Sequence, residues 1–156
     1  MGITVKKPTR TFDIVTDLQL LRESLEKTQK YADKKQHKVT EKADLKNLLH
    51  RVDESTITLT LHGLNSSRWN MIVIQNSTVK GDSMVKDWPK MVADAIPQML
   101  ESAVWKTSGD AIEFADGDLA ELLDSLTDVQ TMDLIVEVQE LNTPAATVPK
   151  AVRDLI

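Results

Sequence analysis

The sequence predicts a mainly α fold: an N-terminal helical hairpin plus a small helical bundle, with one short two-stranded β element. Three observations point there. Apolar or small residues recur at helical spacing through Leu18, Leu21, Leu25, Thr28 and Ala32. A longer stripe runs unbroken through Trp88, Met91, Val92, Ala95, Ile96, Met99, Leu100, Ala103 and Val104. Strict alternation, the mark of a strand, is clear only in TITLTLH at 56–62. The predicted organisation is a flexible basic arm at 1–10, a short strand and charged helical hairpin at 11–55, a helical core domain at 56–142 with its strand at 56–62, and a C-terminal tail at 143–156.

Each element has a local cause. Phe12 and Ile14 alternate with polar neighbours and suggest a short strand. TDLQ at 16–19 has the capping-box form, in which the Thr16 hydroxyl serves the Gln19 amide. The helix it starts fades in the polar run at 34–38 and resumes through Val39, Ala43, Leu45, Leu48, Leu49 and Val52, so two antiparallel helices can face each other. The strand at 56–62 needs a partner for its backbone groups. Phe12 with Ile14 is the first choice, and Ile112 with Phe114 the second.

Downstream, Trp69, Ile72 and Val73 share a face of a short helix at 66–75, capped by Asn65 or Ser66. Residues 77–86, with Gly81 and Asp82, read as a loop. The stripe from Trp88 reads as one helix that kinks or divides near Ile96, because Pro97 removes an internal hydrogen bond. Asp116 caps a helix bearing Leu119, Leu122, Leu123 and Leu126. A second capping box, TDVQ at 127–130, opens a last helix through Val129, Met132, Ile135, Val136, Val138 and Leu141. That helix is apolar over more than half its circumference, which predicts deep burial. Asn142, Pro144 and Pro149 end regular structure, leaving a tail or a short helix at 152–156.

Composition narrows the function. With 156 residues, 41% hydrophobic and 28% charged, the chain can bury a real core and is not a disordered polymer. No cysteine is present, so disulfides and thiolate metal sites are excluded. No apolar run approaches the roughly 20 residues of a membrane helix, and MGITVKKPTR lacks the apolar stretch of a signal peptide, so a cytosolic protein is expected. Charge is segregated. Residues 1–55 carry 12 basic and 9 acidic groups, whereas Glu101 to Glu140 carry 11 acidic groups against the single Lys106. Such a field repels nucleic acid and anionic membranes.

Catalytic and metal-binding patterns are missing. His37, His50 and His62 lie 13 and 12 residues apart and share no metal-ligand spacing. An EF-hand counted from Asp116 finds Thr127 where its last chelator should stand. No phosphate loop or nucleophile elbow occurs. The expectation is therefore a non-enzyme with no catalytic residue, no metal and no cofactor. What stands out is the middle third, where Trp69, Trp88, Met91, Met99 and Trp105 gather. Tryptophan anchors interfaces and methionine adapts to varied apolar partners, so these five are the candidate partner-binding residues. Core packing is the competing account of the same residues.

The order of features completes the picture. A basic arm, a charged hairpin, the strand TITLTLH leading into GLNSSRWNMIVIQN, then DWPKMVADAIPQML and LTDVQTMDLIVEVQELN, resembles the tail assembly chaperones of long-tailed phages infecting actinobacteria. The resemblance spans roughly residues 10–150. Its specific points are Leu64 followed by Arg68 and Trp69, the pair Ile96 and Pro97, and Leu141 with Asn142. One departure is Gln75 and Asn76, where such sequences often carry His-Pro. The resemblance implies a non-enzymatic chaperone of the host cytoplasm, absent from the mature virion. Its implied partners are the tape measure protein and, secondarily, the tail tube protein, with homo-oligomers allowed and neither nucleic acid nor membrane bound. A structural or adaptor protein of the virion, in the tail or at the head-tail connection, is the alternative.

Overall fold

A computed structural model describes residues 2–156; Met1 of the predicted arm lies outside them. The elements run β1 (Thr9–Val15), α1 (Leu18–Asp33), α2 (Val39–Glu54), β2 (Thr56–His62), α3 (Ser66–Gln75), β3 (Ser77–Lys80), β4 (Ser83–Lys86), α4 (Trp88–Met99), β5 (Leu100–Trp105), α5 (Asp118–Asp124), α6 (Asp128–Asn142) and α7 (Lys150–Arg153). The mainly α expectation is thereby corrected. Among the described residues, seven helices accompany a three-stranded sheet, in the order β1-β2-β5, and a separate β3-β4 sheet, which makes an α/β mixture.

Two segments account for the difference. The stretch at 77–86, expected as a loop, is an antiparallel ribbon. The expected helix from Trp88 breaks off close to the predicted point but does not resume: it stops at Met99, and Leu100 turns into an extended conformation that begins β5. Pro97 has already removed one bond from that last turn. In LESAVW, a short apolar pattern fits either period, and the open edge of β2 supplies the partner that decides it. β2 does take Phe12 and Ile14 of β1 as one neighbour. The second choice, Ile112 with Phe114, forms no strand; beside it Ala111 makes an isolated bridge to Val104, and the Ile112 amide donates to the Ala103 carbonyl of β5.

The chain forms two compact units. One comprises Thr11–Thr60 and Glu101–Ala115 and holds the three-stranded sheet and the α1-α2 hairpin. Leu20, Leu48 and Val52 form its helical core, with Val15 and Leu21 against them. The predicted α1 stripe is displaced: Leu20 and Ser24 are buried, while Leu18 and Leu25 face solvent. Ser24 can go inside because its hydroxyl donates to the Leu21 carbonyl at 2.7 Å, and Thr28 likewise donates to Ser24. The first TDxQ motif also behaves differently from expectation. Asp17 is the cap, accepting from the Leu20 amide, while Thr16 donates through both its amide and its hydroxyl to the Ser55 carbonyl. Lys106 bridges Asp13 of β1 at 3.1 Å and Asp53 of α2 at 3.6 Å, and the Asp13 hydrogen bond holds its ammonium above the usual lysine range.

The other unit comprises the chain up to Arg10, Leu61–Leu100 and Asp116–Ile156. α4 lies at its centre, packed on α3, α5 and α6. The second TDxQ motif forms its capping box in full: the Gln130 amide donates to the Thr127 hydroxyl, and the Thr127 amide donates to the Gln130 side chain. α6 buries Leu134, Val138 and Leu141, but Val129, Met132 and Val136 stay exposed, so it is not buried all round. No helix among the described residues is long and apolar enough to cross a membrane.

Candidate partner-binding surface

The five residues singled out from sequence do not form one surface. Met91 and Met99 are 0% exposed and Trp69 is 7% exposed, so all three belong to the core. The cause is their helical spacing. Met91, Val92, Ala95, Ile96 and Met99 form the stripe that α4 turns inward, and Trp69 lies on the buried side of α3. Trp88 and Trp105 are half-buried, and they lie in different units. Trp88 opens α4 with the Lys86 ammonium 5.8 Å from its ring centre. The Trp105 amide donates to the Asp110 carbonyl in the turn after β5. Core packing, the competing account, describes Trp69, Met91 and Met99.

Exposed apolar surface is found next door. On α3, Met71 and Ile74 are three residues apart and both face solvent, opposite the buried Trp69 and Ile72. β3 and β4 then pair Ser77 with Lys86, Thr78 with Val85, Val79 with Met84 and Lys80 with Ser83. Facing residues of an antiparallel pair share a side, so Val79 and Met84 form one apolar cross-strand pair, flanked by Ser77 and Lys86. They are 70% and 63% exposed. The two-residue turn follows from Gly81, whose φ of +61° at the first central position, with no positive φ at Asp82, matches a type II′ hairpin.

The ribbon is held at its base. The Asp87 amide donates to the Asn76 carbonyl at 2.9 Å, extending the ladder by one pair. The buried Asn76 side-chain amide donates to the Ile72 carbonyl at 2.8 Å and to Asp94 on α4 at 2.9 Å. Asp87 in turn caps α4 by accepting from the Lys90 amide. A two-stranded ribbon is marginal alone, and this base ties it to the α3-α4 pair. Beyond it, both outer edges of the ribbon are unpaired among the described residues.

No family model, curated protein or solved structure matches this chain. The surface offers exposed Val, Ile and Met side chains beside strand edges that are unpaired among the described residues. Such a surface can take up apolar side chains and add a strand to an extended segment. Lys80 and Lys86 lie on the ribbon itself, and edge lysines discourage runaway strand addition.

Sequence reasoning missed the ribbon. Its signal was present in STVKGDSMVK, where two alternating segments flank a Gly-Asp pair at the two-residue spacing of a tight hairpin.

Proposed function

We propose that this chain is a non-enzymatic tail assembly chaperone, which binds the phage tape measure protein in the host cytoplasm and keeps it soluble until tail tube subunits enclose it. The exposed Val79 and Met84 pair, on an anchored ribbon with open edges, carries this reading. A long helical client with apolar patches needs a holder that engages weakly and repeatedly and then lets go. Small apolar contacts flanked by charge suit release better than a large dry interface, since stable interfaces bury about 1,600 Å² in total. The sequence resemblance supplies the identity of the client.

Co-expression tests the reading. With this chain present, the tape measure protein of the same phage is expected to remain in the soluble fraction and copurify. A tape measure protein equally insoluble with and without it contradicts the proposal. Recovery of this chain as a stoichiometric component of purified particles would contradict it too, and would place the protein in the virion.

A further inference from the structure

The face of α6 turned away from the core carries its own pattern. Val129, Met132 and Val136 follow the i, i+3, i+7 steps of a helix-pairing seam and are 71%, 60% and 48% exposed. Leu134, Val138 and Leu141 bury the opposite face. The seam has acidic borders. At 3.6 residues per turn, Asp133 and Glu140 fall along one side of it and Asp128 toward the other. Between Asp116 and Asn142 the chain has eight carboxylates and no lysine or arginine.

The molecule also displays the counterpart of this border. Arg10, near the start of β1, places one guanidinium nitrogen 3.2 Å from Glu137 and 2.9 Å from Glu140. Asp128 and Asp133, one turn or more further toward the start of α6, are exposed and make no ion pair among the described residues. A basic group already occupies the far end of the flank, while the part beside Val129 and Met132 is open.

From this juxtaposition we infer that the outer face of α6 docks an amphipathic helix of another protein whose apolar seam is bordered by lysine or arginine. Helical pairing follows from the seam spacing, because knobs at these steps fit the holes of a second helix lying nearly parallel to the first. Basic borders follow from Asp128, Asp133 and the Arg10 precedent. A helix with acidic borders meets like charge at Asp128 and Asp133. This site is separate from the β3-β4 ribbon, and the inference holds whether or not the client is a tape measure protein.

The test uses the full-length protein and two synthetic helical peptides of about three heptads, identical in their leucine seam, one bordered by lysine and the other by glutamate. Fluorescence anisotropy is expected to show binding of the lysine peptide that weakens with salt, and at least tenfold weaker binding of the glutamate peptide. Met132→Asp is the discriminating variant. It adds negative charge, so non-specific attraction of the lysine peptide would grow, whereas seam docking falls at least tenfold. Asp128→Lys with Asp133→Lys should reverse the preference of the two peptides. Circular dichroism of these exposed-site variants reports that α6 remains folded. Binding undiminished in Met132→Asp overturns the inference, as does indifference to peptide charge. Sedimentation showing that Met132→Asp dissociates a homodimer also overturns it, by assigning the face to a second copy of this chain.

Discussion

The backbone amide of Leu64 donates to the side-chain oxygen of Asn142 across 78 residues of sequence, at 2.8 Å. The same Asn142 donates from its nitrogen to the Val138 carbonyl at 2.8 Å and lies 3.3 Å from the Met99 sulfur. One buried amide thus fixes the exit of β2, the end of α6 and the end of α4. Asn142→Ala leaves the Leu64 amide buried without an acceptor, and the expected loss is about 2–3 kcal/mol in a urea melt. A loss below about 0.5 kcal/mol would mean that water replaces the side chain without penalty.

Gly63, one residue earlier, is buried against the Leu141 backbone. A Cβ there would collide with the Leu141 carbonyl oxygen, and backbone cannot swing aside as a side-chain tip can. Gly63→Ala should cost about 2 kcal/mol or more by overpacking. Gly2→Ala, where nothing lies near, should leave the melting curve unchanged.

These two contacts show what was legible in the sequence. Leu64 and Asn142 stand out as resemblance points, yet their hydrogen bond joins distant segments and no local pattern encodes it. Elements with local causes were readable: the α1-α2 hairpin, the strand β2 and the capping box at Thr127. Elements whose identity depends on a distant partner were not. Leu100–Trp105 keeps helical spacing but pairs in a sheet. Thr16 carries the same TDxQ signal as Thr127, yet the Ser55 carbonyl claims its hydroxyl and the cap passes to Asp17. Of the candidate site, the Trp and Met content was visible from the start. Its side was not, because periodicity identifies an apolar face without saying whether that face turns inward, as at Met91, or outward, as at Met132.

Lys106 gives a pH prediction. Its pKa is raised above 10.5, first by its hydrogen bond to Asp13 and further by Asp53, so the folded state holds the proton more tightly than the unfolded chain does. The contribution is complete below the ordinary lysine value and fades as pH rises through the higher folded value. Because the ammonium is partly exposed, Lys106→Met should cost only about 0.5 kcal/mol at neutral pH. That gap from the wild type should close above pH 10.5. A gap that widens in alkali would show that the bridge is not its source.

Gly81 tests the ribbon. Alanine at a φ of +61° is strained by about 1 kcal/mol, although no atom blocks its Cβ. Gly81→Ala should speed amide exchange at β3 and β4 several-fold while leaving the global melt nearly unchanged, since neither strand buries a residue. Equal loss across the α4 core would mean that the ribbon is integral to the fold.

The Val79–Met84 pair can be tested directly against the proposed client. The doubly substituted Val79→Asp, Met84→Asp protein, whose side chains are exposed and so should fold as the wild type does, is co-expressed with the tape measure protein. The expected result is unchanged circular dichroism and a tape measure protein that falls into the insoluble fraction. A tape measure protein that stays as soluble with the variant as with the wild type would contradict it.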